Sequence, residues 1–179
     1  SGLNLDFKFF RMPYYFLIIF ALSPSIVWLL YFLRKDVHPE SNRMILKIFF
    51  LGMLAAVPAA LIELGFFQIT AKLNISFLLV SLLNTFLGVA FIEEILKYLV
   101  VRSKVLDSPE FDEPIDGMLY MIISALGFAA LENLLIFFSP STFFMNWGET
   151  FTLAGFRFIS ATFLHALVSG TVGYFIARN

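Results

Sequence analysis

The sequence has no cysteine and little charge. Asp, Glu, Lys and Arg together make up 14% of its 179 residues, where a soluble domain carries about 25%. Without cysteine, thiol catalysis and cysteine metal ligation are excluded, and the redox compartment leaves no trace. A formal net charge of −1 gives no basic surface for nucleic acid. No internal repeat and no low-complexity linker breaks the chain, so one membrane-embedded domain over residues 1–179 is expected. No small-residue cleavage site follows the first apolar run, and a cleavable signal peptide is not expected. Ser1 and Gly2, with no initiator Met, read as a tag remnant and are set aside.

What fills the chain is apolar: 60% of it is hydrophobic, with 24 phenylalanines. Five stretches are long enough to cross a bilayer, which takes roughly 20 apolar residues. They run from about Pro13 to Leu33, Ile45 to Ile69, Phe77 to Val101, Asp116 to Phe138 and Thr152 to Ile176. Lipid offers the backbone no partners, so each must be a helix. The fold class is therefore all-α: a polytopic transmembrane bundle with about five spans. Pro58 and Glu63 interrupt the second stretch. The connections are short and polar: 34–47, 71–76, 102–115 and 139–150. One side of the membrane then holds Arg34, Lys35, Arg43, Lys47, Arg102, Lys104 and Arg178, and the other holds Lys8, Arg11 and Lys72. Lys and Arg accumulate in cytoplasmic loops. The protein is thus expected to be a multi-pass cell-membrane protein with its N-terminus outside and its C-terminus in the cytoplasm.

Seven ionisable residues fall within or at the edge of the spans: Glu63, Glu93, Glu94, Lys97, Glu132, Arg157 and His165. A charge at the centre of a spanning helix costs about 2.5–3.5 kcal/mol on translocon scales, so such groups should face the bundle interior and one another. Glu93 and Lys97 are four residues apart and Glu94 and Lys97 three, so both pairs can meet on one helix. A structural ion pair needs only one acid, and here there are two. Glu132 follows the small residues Ala125, Gly127, Ala129 and Ala130, where a neighbouring helix can come close, and Asn133 sits beside it. His165 shares its face with Ala161, Thr162 and Ser169. A buried acid bonded to Asn, or a histidine that merely packs, is the plainer reading of each alone.

Together they place carboxylates on two helices and an imidazole on a third. Such a set suits hydrolysis by either of two routes. Zinc could take Glu132, His165 and Glu93 as ligands and keep a position for water. Alternatively, a carboxylate and an imidazole could hold and deprotonate water without metal. No HExxH stretch is present, which excludes a zincin-type site. Depth is a check. At 1.5 Å per residue, Glu93 is about 12 Å, His165 about 17 Å and Glu132 about 24 Å from the cytoplasmic ends of their helices. Convergence requires the third helix to continue past Val101 towards Leu106.

FIEEILKYLVVR, DGMLYMIISALGFAALEN and HALVSG, in that order in separate spans, resemble the PrsW family of intramembrane proteases. The first loop agrees: in RKDVHPE, Asp36, Pro39 and Glu40 match that family's charged segment, with Ser41 departing from its closing proline. The family is similar to the CAAX-protease and bacteriocin-processing group, whose motifs are EExxxR, FxxxH and HxxxN. Here Lys97, Glu132 and Ser169 stand at the positions of the Arg, the second-motif His and the Asn. The resemblance implies a peptidase in which Glu93 or Glu94 activates water, with Glu132 and His165 orienting it or binding metal, and with Lys97, Asn133 and Ser169 supporting. It also implies a membrane-anchored protein substrate, such as an anti-sigma factor cut on its extracytoplasmic side. Asp116, Gly117 and Tyr120 match the family as well; Asp116 lies about 160° around the helix from Glu132 and reads as a cap. Two rival functions are a small proton-coupled transporter, against which the lack of inverted repeats counts, and a non-catalytic binding or immunity protein on the same scaffold.

Overall fold

A computed structural model describes residues 13–178 apart from 37, 110, 112, 143 and 144. Lys8 and Arg11, which count towards the charge asymmetry, and Ser1 and Gly2 lie outside the described residues. Five helices of 20 to 30 residues are long and apolar enough to cross a membrane, and among the described residues there is no strand. We label them α1 (Tyr14–Leu33), α2 (Asn42–Thr70), α3 (Phe77–Lys104), α4 (Pro114–Phe137) and α5 (Trp147–Ile176). The chain is a multi-pass, all-helical membrane protein.

Helix starts are set by capping. The Ser41 hydroxyl accepts from the Met44 amide at 3.3 Å, which starts α2 three residues before the expected Ile45. Asn146 Oδ1 accepts from the Glu149 amide at 3.0 Å, and Glu149 Oε2 accepts from the Asn146 amide at 2.9 Å. This capping box draws α5 back to Trp147, five residues before the expected start at Thr152. Asp116 does cap: its Oδ2 accepts from the Glu113 amide at 2.7 Å, with Pro114 opening the helix. Pro58 and Glu63 interrupt the apolar run but not α2, which runs unbroken as expected, because in lipid the backbone has no partner outside its own helix. The extension of α3 is present but stops at Lys104 rather than Leu106.

Two of the helices are not α throughout. Asn84–Phe91 of α3 and Arg157–Thr162 of α5 are π-helical, with wider turns closed by i→i+5 hydrogen bonds. Each lies just before the polar residues its helix carries into the bundle: Glu93 and Glu94 in α3, His165 in α5.

The bundle is built around α4, where nearly every residue from Asp116 to Ala130 is buried. It packs against α1, α2, α3 and α5. Ile45, Ile48 and Phe49 of α2, Val101 of α3, Ala166 of α5 and α4 residues from Leu119 to Ile123 with Leu126 and Ala130 share one apolar core. Small residues make the crossings close. A Cβ on Gly127 would overlap the Phe49 carbonyl of α2, and one on Gly173 of α5 would overlap the Gly117 backbone of α4. By contrast α3 and α5 touch each other only slightly. The space between them becomes the candidate site.

The first loop is latched to the start of α4. Tyr120 donates its hydroxyl to Glu40 Oε2 at 2.6 Å, and His38 Nδ1 lies 2.7 Å from Glu113 Oε1. Burial pushes the Glu40 carboxyl up to about 7; the nearby Asp116 and Asp36 add to this, while the Tyr120 hydrogen bond opposes it. Between pH 4.5 and about 7 the folded state therefore keeps a proton that the unfolded chain has released, and stability falls as pH rises through that window. Unfolding midpoints taken across it in detergent should decline with pH, and Glu40→Gln should remove that part of the slope. An unchanged slope in the variant would assign the dependence to another group.

Candidate active site

Lys97 is the centre of the polar set. Its side chain is fully buried (0% exposed), and its Nζ lies 4.6 Å from the centroid of the Phe128 ring. It sits 3.0 Å from Glu93 Oε2, 2.8 Å from Glu94 Oε1 and 2.9 Å from His165 Nδ1. An ammonium has three donors and no acceptor, so all three are spent. Because Lys97 can only donate, His165 Nδ1 must accept, and the imidazole proton sits on Nε2. That Nε2–H donates to Glu132 Oε2 at 3.0 Å. The tautomer follows from the hydrogen-bond network.

The three carboxylates differ in what they have left. Glu94 is used at both ends: Oε1 by Lys97, and Oε2 by the Ser169 hydroxyl at 2.7 Å. Glu93 uses only Oε2, which accepts from Lys97; His165 Nδ1 lies 3.5 Å from the same oxygen but has no proton to give it. Glu132 also uses only Oε2, for His165 and for Arg157 Nη2 at 3.1 Å. The Oε1 atoms of Glu93 and Glu132 make no hydrogen bond among the described residues. Side-chain exposure is 7% for Glu93, 17% for Glu94 and 31% for Glu132. Thus Glu93 is the most enclosed acid that still has an oxygen to offer.

Part of this network borders a cavity of about 310 Å³ between α3 and α5, to which α4 contributes Glu132. Glu93, Glu94, Glu132, Arg157 and His165 line it together with apolar and small residues, among them Val89, Ala90, Ala161 and Leu164. A polar centre therefore opens on a greasy mouth. Glu93 and His165 are both eleven residues from the ends of their helices at Lys104 and Ile176, about 17 Å in depth.

The residues singled out from sequence come together: Glu93, Glu94, Lys97, Glu132 and His165 form one connected network, with Ser169 on Glu94. Asn133 supports it from one side. Its Nδ2 donates to Thr162 Oγ1 at 3.2 Å, and its Oδ1 accepts from Arg157 Nε. Arg157 was given no role in sequence; here it grips Glu132 and Asn133 at once. Charge balance was the signal that could have found it. Lys97 alone cannot neutralise the intramembrane glutamates, and Arg157, unlike Arg43, Lys47, Arg102 and Lys104 near helix ends, lies well inside its helix. Glu63 does not pair with Arg157, and it makes no hydrogen bond or ion pair among the described residues. Trp28 of α1 braces the π segment from outside, donating Nε1–H to the Phe158 carbonyl at 3.0 Å.

The donor set fits a divalent metal poorly. Among the described residues no group of three or more His, Asp or Glu could hold one. His165 has one nitrogen facing an ammonium and the other bonded to a carboxylate. The place a metal would take among Glu93, Glu94 and His165 is held by the Lys97 ammonium.

The sequence was compared with known proteins. Residues 40–179 match the family model described as PrsW family intramembrane metalloprotease. The curated Protease PrsW of Geobacillus kaustophilus is 31% identical over 163 residues, covering 90% of this chain and 66% of the relative. That of Bacillus subtilis is 32% identical over 159 residues, 88% of this chain and 66% of the relative. Protease PrsW of Clostridioides difficile is 24% identical over 164 residues, 90% of this chain and 65% of the relative. The chain thus spans just under two thirds of the length of these relatives. No solved structure is a significant match.

Proposed function

The chain belongs to the PrsW family, and from that premise we propose that it hydrolyses a peptide bond of a membrane-anchored protein with a water activated by Glu93. The observation that carries this is Glu93, whose Oε1 makes no hydrogen bond among the described residues, lining a cavity shared with Glu132 and His165. The step balances. Glu93 Oε1 takes a proton as the water oxygen bonds the carbonyl carbon, and the carbonyl oxygen becomes an oxyanion. The tetrahedral centre collapses by breaking the C–N bond, and the leaving nitrogen takes the proton from Glu93. Lys97 holds Glu93 and Glu94 and fixes the His165 tautomer. His165 and Arg157 hold Glu132, whose Oε1 accepts from the water and orients it. Glu94, used at both oxygens, anchors Lys97 and Ser169.

The test is cleavage in proteoliposomes of a labelled single-span reporter, a transmembrane helix with a polar extracytoplasmic tail. Wild-type protein that cuts no such reporter would speak against the reading; liposome proton flux in its place would favour a carrier.

The substrate class fits a cavity with apolar walls between two slightly touching helices, which a membrane-borne chain can enter. Within that class an anti-sigma factor is the substrate the family resemblance favours. For the cofactor, the donor set supports metal-free chemistry over zinc. Cleavage should persist after exhaustive chelation in protein whose metal content is verified by elemental analysis. Loss on chelation with recovery on added zinc would reverse that choice.

For orientation we propose an outside N-terminus, supported by the seven basic residues on the side of the first and third loops. The absence of cysteine makes the check direct. A single cysteine at Ser141 should react with a membrane-impermeant maleimide in intact cells, and one at Lys104 only after lysis; the opposite pattern inverts the topology.

A further inference from the structure

Hydrolysis leaves a negative charge on the carbonyl oxygen, and that charge needs a donor. Preorganised donors at such a position are often the largest single contribution to rate. This inference rests on the protease reading above, and it comes from counting which donors are still free.

Lys97 is excluded: its three N–H groups are spent on Glu93, Glu94 and His165, and it does not line the cavity. His165 is excluded because its one N–H goes to Glu132. The Ser169 hydroxyl goes to Glu94, and Asn133, which gives one N–H to Thr162, is fully buried and does not line the cavity. Arg157 is different. A guanidinium has five N–H donors in a rigid planar fork and stays charged at any working pH. Nε is used by Asn133 and Nη2 by Glu132, while Nη1 makes no hydrogen bond among the described residues. The side chain lines the cavity on the α5 wall, across from Glu93 on α3. It stands at the first residue of the π segment, the kind of helix irregularity that recurs at functional sites. Its two bonds fix the plane of the fork and leave its remaining donors for the substrate.

We propose that Arg157 is a catalytic residue that receives the oxyanion: its free N–H groups bond the scissile carbonyl oxygen as the Glu93-activated water adds to the carbon. The charge then forms between a base on one wall and a fixed cation on the other. Glu132, between them, orients the water and keeps the guanidinium in place.

The experiment is steady-state and single-turnover cleavage of the labelled single-span reporter by wild type, Arg157→Lys and Arg157→Ala in proteoliposomes, with and without added guanidinium chloride at low, non-denaturing concentration. Folding is checked by circular dichroism and by melting in detergent. Arg157→Ala should lower kcat about 10²–10³-fold and change KM little. Arg157→Lys should retain more activity than the alanine variant, and guanidinium should restore part of the alanine variant's rate without helping wild type. A residue that only props Glu132 would behave otherwise: on a Glu132→Gln background, Arg157→Ala would then cost nothing further, and guanidinium would rescue nothing. That pair of results overturns the assignment. So does Thr85→Val matching the predicted loss while Arg157→Ala keeps its rate, since Thr85 is the other hydroxyl or N–H side chain on the cavity wall not already assigned. Absence of cleavage by wild type itself would instead remove the protease reading.

Discussion

Glu93→Gln should abolish cleavage while Glu94→Gln only weakens it. The two glutamates are neighbours in sequence, are both in reach of Lys97, and both line the cavity. They differ in what else they hold. Glu94 gives one oxygen to Lys97 and the other to Ser169, so a proton from water would have to go to an oxygen already engaged. Glu93 keeps Oε1 and is the more enclosed of the two. An amide at Glu93 still fills the space and can still accept from Lys97 through its carbonyl, so the network survives, but it cannot take the proton. General-base contributions run to roughly 10²–10⁴-fold, and the loss should appear in kcat with little change in KM. Glu94→Gln keeps its hydrogen-bonding positions and disturbs the chemistry only through Lys97. The comparison is made on single-turnover rates of the reporter, with both variants shown to be folded by their melting curves. Wild-type rates in Glu93→Gln, or equal losses in both variants, would remove Glu93 from the role.

Much of this was open to reading in the sequence because lipid allows so few backbone solutions. Five apolar runs had to be helices, and Glu93, Glu94, Lys97, Glu132 and His165 had to find one another, since nothing else in a bilayer would take them. What escaped is what the α-helical period hides. At about 100° per residue, Arg157 and His165 stand about 80° apart, and Arg157 reads as an intramembrane charge with no assigned role, able to pair with the site or with Glu63. The π-helical turns from Arg157 to Thr162 break that count, and both side chains reach the same cavity. No composition signal marks such a segment; it is a change of hydrogen-bond register. The division of labour proposed for Glu93 and Glu94 was equally closed to spacing arguments. It depends on the Ser169 hydroxyl, 75 residues from Glu94 along the chain. Helix ends moved for a humbler reason. The Asn146–Glu149 box and the Ser41 cap are polar signals in segments where hydropathy alone had been followed.

Lys97→Met should be the most destabilising single substitution in the protein. Methionine nearly matches lysine in length and could still lie against Phe128, so little packing is lost. What goes is the one cation shared by Glu93, Glu94 and the His165 ring. Breaking a buried pair by removing one partner costs about 3–5 kcal/mol, because it leaves uncompensated charge in a low-dielectric interior. Here two carboxylates lose their partner together. They must then take up protons, draw in water or separate, and each response opens the contact between α3 and α5 that forms the cavity. The His165 Nδ1 lone pair also loses its donor, which frees the tautomer that aims Nε2–H at Glu132. Cleavage should therefore disappear along with stability. Unfolding of the purified protein in detergent, followed by circular dichroism against denaturant, measures the cost. Adding Glu94→Gln to Lys97→Met should recover part of it, since one of the stranded charges is then gone, yet restore no activity. A Lys97→Met protein as stable as wild type would mean the acids are already neutral or hydrated in the folded state. The ammonium would then not be what holds the centre together.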